Sequence, residues 1–253
     1  MKIIIGGAMG RMGREVTAAA LNAGMEIVCG VDIMYSGQPM DIPMVTGFDL
    51  VEENADVLID FSRADSLPEI LTLATSKGIA SVLCTTGYTD VEVARINEAS
   101  QRIAILRSAN MSLGVNLMEE LVAIASRALA DDFDVEIIEK HHRMKLDSPS
   151  GTALMFYDAV RGEKGKDTEP IYGRYGRTHK RTSREIGVHA VRGGTVTGEH
   201  EVGFYGNGEQ IILTHRAENR ALFAQGAIKA ASFLSGKPAG LYSMRNVVKE
   251  ILG

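Results

Sequence analysis

Residues 1–13, MKIIIGGAMGRMG, join an apolar run to three glycines spaced three residues apart, Gly7, Gly10 and Gly13. The isoleucines predict a buried strand over 2–6, and the apolar spacing that follows predicts a helix over 11–23. Glycine lets backbone amides approach a pyrophosphate closely, and a helix N-terminus attracts phosphate through its amides and dipole. Asp32 ends the next apolar run, near the spacing at which an acidic side chain accepts hydrogen bonds from an adenosine ribose. The stretch therefore predicts a dinucleotide site, the alternatives being a tight turn without a ligand and an Asp32 that only caps a turn.

The first hundred residues repeat this alternation of Ile- and Val-rich runs with segments of helical period. Strands are predicted over 2–6, 26–32, 56–61, 79–84 and 103–107, and helices over 11–23, 65–77 and 91–101. Strands without polar alternation are covered on both faces. Strand, helix and strand in repetition predict a parallel sheet with right-handed crossovers.

The pattern changes after a helix predicted over 113–129, whose buried face we place at Leu117, Leu121, Ile124 and Ala128. Alternation over 133–139, strands over 185–191, 201–205 and 209–215, and a hairpin turn at Asn207-Gly208 follow. A last helix is predicted over 219–234. The fold class is therefore α/β, with an N-terminal Rossmann-type parallel sheet and a second α+β domain that carries a mixed or antiparallel sheet. We assign residues 1–112 to the dinucleotide-binding domain, 113–220 to the second domain, and 221–253 to a C-terminal helical segment that returns to the first.

Composition excludes several classes of function. The chain has 253 residues, 45% of them apolar, and a net charge of -5, which gives no general attraction for nucleic acid or for an anionic membrane. No apolar run approaches the roughly 18 residues of a membrane span. Cys29 and Cys84 lie in apolar runs without a CxxC spacing, so we expect reduced thiols and a cytoplasmic protein.

Two other strand ends lie where a cofactor would bind. They are Asp60-Phe61-Ser62-Arg63 and Cys84-Thr85-Thr86-Gly87. Ligands of open parallel sheets bind outside the carboxyl ends of the strands, although an ordinary turn is the alternative at each. Residues 33–36, IMYS, offer no cation beside Asp32 for a 2′-phosphate. We therefore predict that NADH is preferred and that NADPH is used more weakly.

Residues 139–153, EKHHRMKLDSPSGTA, place two histidines and a lysine before a predicted helix N-terminus. Histidine transfers protons near neutral pH, and lysine donates a proton or holds charge. A substrate carboxylate would meet both cations and directed amides there. A solvated loop is one alternative. A metal site is another, although no acidic or cysteine partner lies at a convincing spacing, so we predict no metal.

A basic run later in the chain contains Arg174, Arg177, His179, Lys180, Arg181 and Arg184. Few aromatic residues accompany it, which argues against nucleic-acid binding. We expect a mobile loop that attracts an anionic substrate, with a solvated loop as the alternative.

The string at 139–153 resembles the signature of the 4-hydroxy-tetrahydrodipicolinate reductase (dihydrodipicolinate reductase) family of the bacterial lysine pathway through diaminopimelate. The resemblance covers nearly the whole chain. It includes GAMGRMG at 7–13, DFSR at 60–63, TTGY at 85–88, SANMSLGVN at 108–116, VRGG at 191–194, GEHEV at 198–202 and LTHRAENR at 213–220.

The resemblance implies that NAD(P)H reduces a small dicarboxylate, 4-hydroxy-tetrahydrodipicolinate, to tetrahydrodipicolinate. Hydride reaches C4 of the ring, the 4-hydroxyl leaves as water, and C3 gains a proton. Another NAD-dependent reductase of a small dicarboxylate and a non-catalytic dinucleotide sensor are the rival interpretations. The resemblance also implies a homotetramer and assigns substrate binding and oligomerisation to residues 113–220.

Site residues follow from the same resemblance. His141 would donate or accept a proton, and Lys145 would be a second donor. His142, Gly151 and Thr152 would bind the substrate, the last two through its carboxylate. The cofactor contacts would be Gly7, Ala8, Met9, Gly10, Arg11, Met12, Asp32, Cys84, Thr85, Thr86, Ser108, Ala109, Asn110 and Met111. Cys84 and Met111 stand where many relatives have Gly and Phe.

Overall fold

The chain divides into two compact units in the computed structural model, which describes residues 1–129, 132–165, 167–177 and 180–253. The first unit comprises Met1–Leu113 together with Arg220–Gly253, and the second comprises Gly114–Asn219. Two separate stretches of chain therefore build the first unit, and one stretch builds the second. None of the helices in the described ranges combines the length and the apolar character needed to span a bilayer.

The first unit is a parallel sheet with helices on both faces. Its strands are β1 (Lys2–Gly6), β2 (Glu26–Val31), β3 (Met44–Val45), β4 (Val57–Asp60), β5 (Ala80–Leu83), β6 (Ala104–Arg107) and β12 (Gly240–Tyr242). They form a 7-stranded sheet in the order β12-β6-β5-β4-β1-β2-β3, in which neighbouring strands are parallel. The helices are α1 (Arg11–Asn22), α2 (Leu67–Lys77), α3 (Asp90–Ala99), α6 (Ala221–Leu234) and α7 (Met244–Leu252). The predicted Rossmann-type sheet is confirmed.

The isoleucines of β1 show why its sequence is apolar without interruption. Ile3 and Ile5 pack in one core cluster with side chains of α1, α6 and α7. Ile4 points the other way and packs with side chains of α2 and α3. Because successive strand residues face opposite sides, a strand with helices on both faces needs apolar side chains at every position.

The second unit is a mixed sheet packed against two helices. Its elements are α4 (Leu113–Leu129), which begins at the end of the first unit, β7 (Asp134–His141), α5 (Gly151–Lys164), β8 (Glu169–Ile171), β9 (Glu185–Arg192), β10 (Glu199–Tyr205) and β11 (Gln210–Arg216). The 5-stranded order is β11-β10-β7-β9-β8. The pairs of β9 with β7 and β8 are parallel, whereas β10 is antiparallel to β7 and β11. The predicted mixed sheet and the hairpin at Asn207-Gly208, where Gly208 has a φ of 91°, are confirmed.

The predicted buried face of α4 is wrong. Leu121 and Ile124 are 43% and 57% exposed, whereas the buried positions include Val115, Met118 and Val122. The helix carries apolar residues on more than one side. Those of the side that contains Val115, Met118 and Val122 pack with β7 and α5. The apolar periodicity therefore predicted the helix correctly but placed its buried face on the wrong side.

Candidate functional site

The glycine turn between β1 and α1 has no space for side chains. Gly7 has a φ of 71°, and a Cβ built on it would lie 2.6 Å from the carbonyl oxygen of Phe61. A Cβ on Gly13 would lie 2.0 Å from the carbonyl oxygen of Gly7. Gly10 precedes α1 in an extended conformation and provides no side-chain cap. Bare backbone therefore surrounds the start of the helix, an arrangement that fits a pyrophosphate.

A cavity of about 540 Å³ opens beside this turn, a volume in the range of small-molecule sites. Its lining contains four of the predicted cofactor contacts, namely Gly7, Met9, Gly10 and Asp32. The intervening predicted contacts, Ala8, Arg11 and Met12, are not among the lining residues. Ala8 is buried and Arg11 is exposed, while Met12 packs against the apolar core.

Asp32 holds the turn through both of its carboxylate oxygens. Oδ2 accepts a hydrogen bond from the Met9 amide and Oδ1 accepts one from the Met34 amide, each at 2.9 Å. One function of Asp32 is therefore to accept hydrogen bonds from these two backbone amides. Each carboxylate oxygen has two lone pairs, so the same oxygens have acceptor capacity for ribose hydroxyls.

Two cations of the cavity were not weighed as partners of a 2′-phosphate, because only residues 33–36 were considered for that role. Arg14 and Arg63 both line the cavity that contains Asp32. Arg14 Nε donates to the carbonyl oxygen of Met9 at 3.2 Å, and Arg63 pairs with Asp65 at 2.5 Å. Arg14 belongs to the first turn of α1 and Arg63 follows β4, so only the fold brings them to Asp32.

The predicted contacts at the other strand ends are organised by Asp60, which is completely buried. Its carboxylate accepts hydrogen bonds from the Ser62 amide at 2.9 Å and from Thr85 Oγ1 at 2.7 Å. Burial raises the pKa of Asp60 against the lowering effect of these bonds. Thr86 is exposed. Asp60 therefore fixes the backbone at the ends of two neighbouring strands.

The side chains of Cys84 and Met111 belong to the apolar core of the first unit. They are 8% and 3% exposed, and burial raises the pKa of the Cys84 thiol well above its usual range. Any contact of these two residues with a cofactor is therefore made by their backbone. Of the adjoining predicted contacts, Ser108 and Asn110 are half-buried and Ala109 is exposed.

In the second unit, the predicted His141 lies at the end of β7 beside a buried carboxylate. His141 Nδ1 is 2.5 Å from Glu139 Oε2. Arg192 donates to both oxygens of Glu139, at 2.7 and 2.8 Å, and the Ser150 amide donates to Oε1 at 2.9 Å. Glu139 is 0% exposed. All of its neighbours are thus donors, as a buried carboxylate requires.

The electrostatics of this cluster keep Glu139 ionised. Burial raises the pKa of Glu139, but the hydrogen bonds from Arg192, His141 and Ser150 outweigh burial and hold that pKa below its ordinary value. Burial also lowers the pKa of His141, against the raising effect of Glu139 and with a further lowering effect from Lys145 and Arg192. A buried imidazole next to a fixed carboxylate is suited to proton transfer.

The imidazole that packs against His141 is His200 of β10, which the sequence reasoning missed. The two rings meet edge to face with centroids 5.1 Å apart, and Ser150 Oγ lies 3.1 Å from His200 Nε2. Burial lowers the pKa of His200 to about 3, so this ring is neutral at physiological pH. His142, expected to converge with His141, is half-buried in the turn after β7.

Lys145 and the start of α5 complete the predicted substrate residues. Lys145 Nζ pairs with Asp147 Oδ1 at 2.9 Å, a partner that the sequence reasoning did not foresee. Ser150 caps α5 by accepting a hydrogen bond from the Ala153 amide. Gly151 and Thr152 are the first two residues of the helix. Gly151 is exposed, and a Cβ there would meet open space.

Two cations of the basic run form ion pairs with carboxylates of the sheet, and the expected substrate-attracting loop stays a prediction. Arg174 bridges Glu136 of β7 and Glu185 of β9, at 2.9 and 3.0 Å. Arg181 pairs with Glu136 at 3.1 Å and also with Asp134. His179 lies outside the described residues. In the described ranges no group of three or more His, Cys, Asp or Glu side chains could hold a metal ion.

The parallel sheet and the glycine turn place this chain in the class of Rossmann-fold proteins. Residues 1–111 match the family described as dihydrodipicolinate reductase, N-terminus, and residues 114–248 match dihydrodipicolinate reductase, C-terminus. The chain belongs to the dihydrodipicolinate reductase family.

Full-length relatives agree with this assignment. The chain is 46% identical to 4-hydroxy-tetrahydrodipicolinate reductase of Caldanaerobacter subterraneus subsp. tengcongensis, with 99% of both chains covered. It is 45% identical to the Clostridium tetani protein of the same name, covering 96% of this chain and 95% of the other. Dipicolinate-bound dihydrodipicolinate reductase from Paenisporosarcina sp. TG-14 has a similar fold, with a TM-score of 0.81, 24% identity, and coverage of 97% and 98%.

Proposed function

We propose that this chain reduces 4-hydroxy-tetrahydrodipicolinate to tetrahydrodipicolinate with a nicotinamide cofactor, in lysine biosynthesis. The observation that carries the proposal is the cluster at the end of β7, where His141, Glu139 and Arg192 form a bonded set in a chain of this family. The glycine turn of the first unit supports the cofactor assignment. When bound there, the reduced nicotinamide supplies the hydride that reaches C4 of the substrate ring.

Loss of the 4-hydroxyl as water takes a proton from C3, and His141 is the proposed donor of the proton that C3 regains when hydride reaches C4. Its Nδ1 is occupied by Glu139, so Nε2 is the nitrogen that transfers the proton. Lys145 is the proposed second donor, and its pairing with Asp147 orients its side chain. Both groups lie in the second unit.

The amides of Gly151 and Thr152 are the proposed site of a substrate carboxylate. They stand at the start of α5, a helix of 14 residues, where the dipole favours negative charge. The side of Gly151 that a Cβ would fill is open, which leaves room for an anion. His142 supplies the further contact that we propose on this side.

The activity is tested with purified protein, substrate generated enzymatically, and the loss of NADH absorbance. We expect turnover in the wild type and a loss of about 10²–10⁴-fold in kcat for His141→Ala and Lys145→Ala. Lys140→Ala is the matched control, since Lys140 is an exposed lysine on β7 that pairs with Glu199 at 3.2 Å. Absence of turnover in the wild type, or equal losses in K140A and K145A, would contradict the proposal.

We further propose that NADH is preferred over NADPH. The carboxylate of Asp32 repels a 2′-phosphate, and the two cations of the cavity are already engaged by Met9 and Asp65. The ratio of kcat/KM for the two cofactors measures the preference. A larger kcat/KM with NADPH would refute it.

The family resemblance also supports a homotetramer. Light scattering of the purified protein tests this, and a mass of one or two chains would exclude it.

A further inference from the structure

The contacts of Glu139 reach three parts of the second unit that the proposed function uses. Its carboxylate bonds to His141 on β7 and to the amide of Ser150, the residue that caps α5. Its partner Arg192 also donates to the carbonyl oxygen of Asp147 at 2.7 Å, in the loop that carries Lys145. We propose that Glu139 and Arg192 are positioning residues, which fix the tautomer and orientation of His141 and hold the Lys145 loop and the α5 N-terminus beside it. This inference rests on the proposed function.

The tautomer of His141 follows from the chemistry of an ionised carboxylate. Such a group only accepts hydrogen bonds, so the neutral His141 ring must carry its proton on Nδ1, facing Glu139. Nε2 is then the nitrogen that gives up a proton and recovers it. Gly198 leaves space beside Nε2, since a Cβ on Gly198 would lie 3.1 Å from that atom.

The orientation of His141 follows from the number of bonds that Glu139 makes. Both of its oxygens are held by the planar fork of Arg192, at 2.7 and 2.8 Å, and the Ser150 amide fixes Oε1 from a third direction. A bidentate guanidinium fixes a carboxylate plane. The plane of the carboxylate in turn sets the direction of the bond to His141.

Sheet register brings these groups together. Arg192 of β9 stands opposite His141 in the parallel pair, and His200 of β10 stands opposite Glu139 in the antiparallel pair. Glu139 and His141 are two residues apart on one strand, and both face the buried side. Three adjacent strands therefore converge on one imidazole.

Four charged or titratable groups act on His141. Glu139 stabilises the imidazolium form, whereas the cations Lys145 and Arg192 oppose it, and the fourth group, His200, is neutral at physiological pH. Removing the charge of Glu139 leaves the cations unopposed. His141 must then lose its proton at a lower pH than in the wild type.

The decisive variant is Glu139→Gln, which keeps the shape of the side chain and removes its charge. We expect kcat to fall by at least about 10-fold, which is less than the 10²–10⁴-fold loss expected when the acid itself is removed, and the alkaline limb of the kcat profile to move to lower pH. KM for the cofactor, whose proposed site lies in the other unit, should stay unchanged. Glu163→Gln is the matched control, because Glu163 also forms a bidentate pair with an arginine, Arg127, at 2.8 and 2.9 Å; its kinetics should equal the wild type.

Arg192→Lys separates geometry from charge and guards against a variant that does not fold. It keeps Glu139 ionised but removes the fork, so we expect a lower kcat with an unchanged alkaline limb. Nitrogen-15 NMR of the imidazoles gives a readout without turnover. The wild type should show His141 protonated on Nδ1 when neutral, and E139Q should show a mixture of tautomers.

These experiments distinguish a failure of the proposed function from a failure of the positioning role of Glu139 and Arg192. If the wild type does not turn over the substrate, the proposed function fails, and the NMR comparison alone decides the positioning role. If E139Q keeps the wild-type kcat, alkaline limb and Nδ1 tautomer, the positioning role is overturned while the activity stands. If E163Q loses as much activity as E139Q, the effect is general destabilisation and the inference is overturned.

Discussion

His200 makes the stability of the second unit depend on pH in a way that can be calculated. The ring lies between His141 and Phe156, with centroids 5.1 and 5.9 Å away. Its Nδ1 has no hydrogen-bond partner among the described residues, and burial lowers its pKa to about 3. The folded unit therefore keeps this histidine neutral throughout the mildly acidic range.

The unfolded chain behaves differently, because an unfolded histidine binds a proton near pH 6.5. Below that pH the unfolded state holds one more proton than the folded state, so the free energy of unfolding falls as the pH falls. The free energy of unfolding therefore has its full value above the unfolded pKa of this histidine and decreases as the pH falls towards its folded pKa. From pH 7 to pH 5, His200 alone should cost about 2 kcal/mol.

The comparison with His200→Gln isolates this contribution. Hydrogen exchange of amides in β10, corrected for intrinsic rates, measures the opening free energy of this sheet at each pH. Wild type should lose about 2 kcal/mol more than H200Q between pH 7 and pH 5. Because the loss is measured for each protein between its own values at pH 7 and pH 5, the difference in packing between wild type and H200Q does not affect the comparison. Equal losses would show that His200 is not held neutral, and the reasoning would fail.

Three glycines lead to further predictions. Gly226→Ala should lower the free energy of unfolding by about 1–3 kcal/mol in a urea titration, because its Cβ would lie 1.7 Å from the carbonyl oxygen of Met111. Gly162→Ala in α5, where a Cβ meets open space, should instead stabilise by up to about 1 kcal/mol; a similar loss in both would refute the packing argument. Gly198→Ala should lower kcat about 3- to 10-fold by displacing His141, whose Nε2 would lie 3.1 Å from the new Cβ, and unchanged steady-state kinetics would contradict this.

The local sequence pattern predicted most of the fold because strands that are buried on both faces have apolar residues at every position. The strand over 2–6 and the helix over 113–129 have the predicted bounds. β3, β8 and β12 were missed because strands of two or three residues contain too few positions to show a period. The buried face of α4 was misplaced because both of its apolar stripes have helical spacing, and only tertiary packing distinguishes them.

The site was predictable where its chemistry is contiguous and was missed where it depends on strand pairing. His141, Lys145 and the start of α5 lie within one stretch of sequence. Arg192 and His200 join them only through the register of β9 and β10 with β7. One signal was present, since alternation along β7 places Glu139 on the same side as the apolar residues. A carboxylate at a position that the pattern marks as buried requires a partner of opposite charge.

The discontinuous first unit has a consequence for synthesis on the ribosome. Residues 114–219 are contiguous and contain every strand of their own sheet, so they can collapse as soon as they have emerged. The amino-terminal sheet must wait for α6, whose Ala227 and Leu234 share a core cluster with Ile3 and Ile5. A nascent polypeptide that stalls before residue 221 would present that apolar surface to chaperones and proteases. Folding of residues 1–113 therefore depends on residues 220–253, which are translated after the whole second unit.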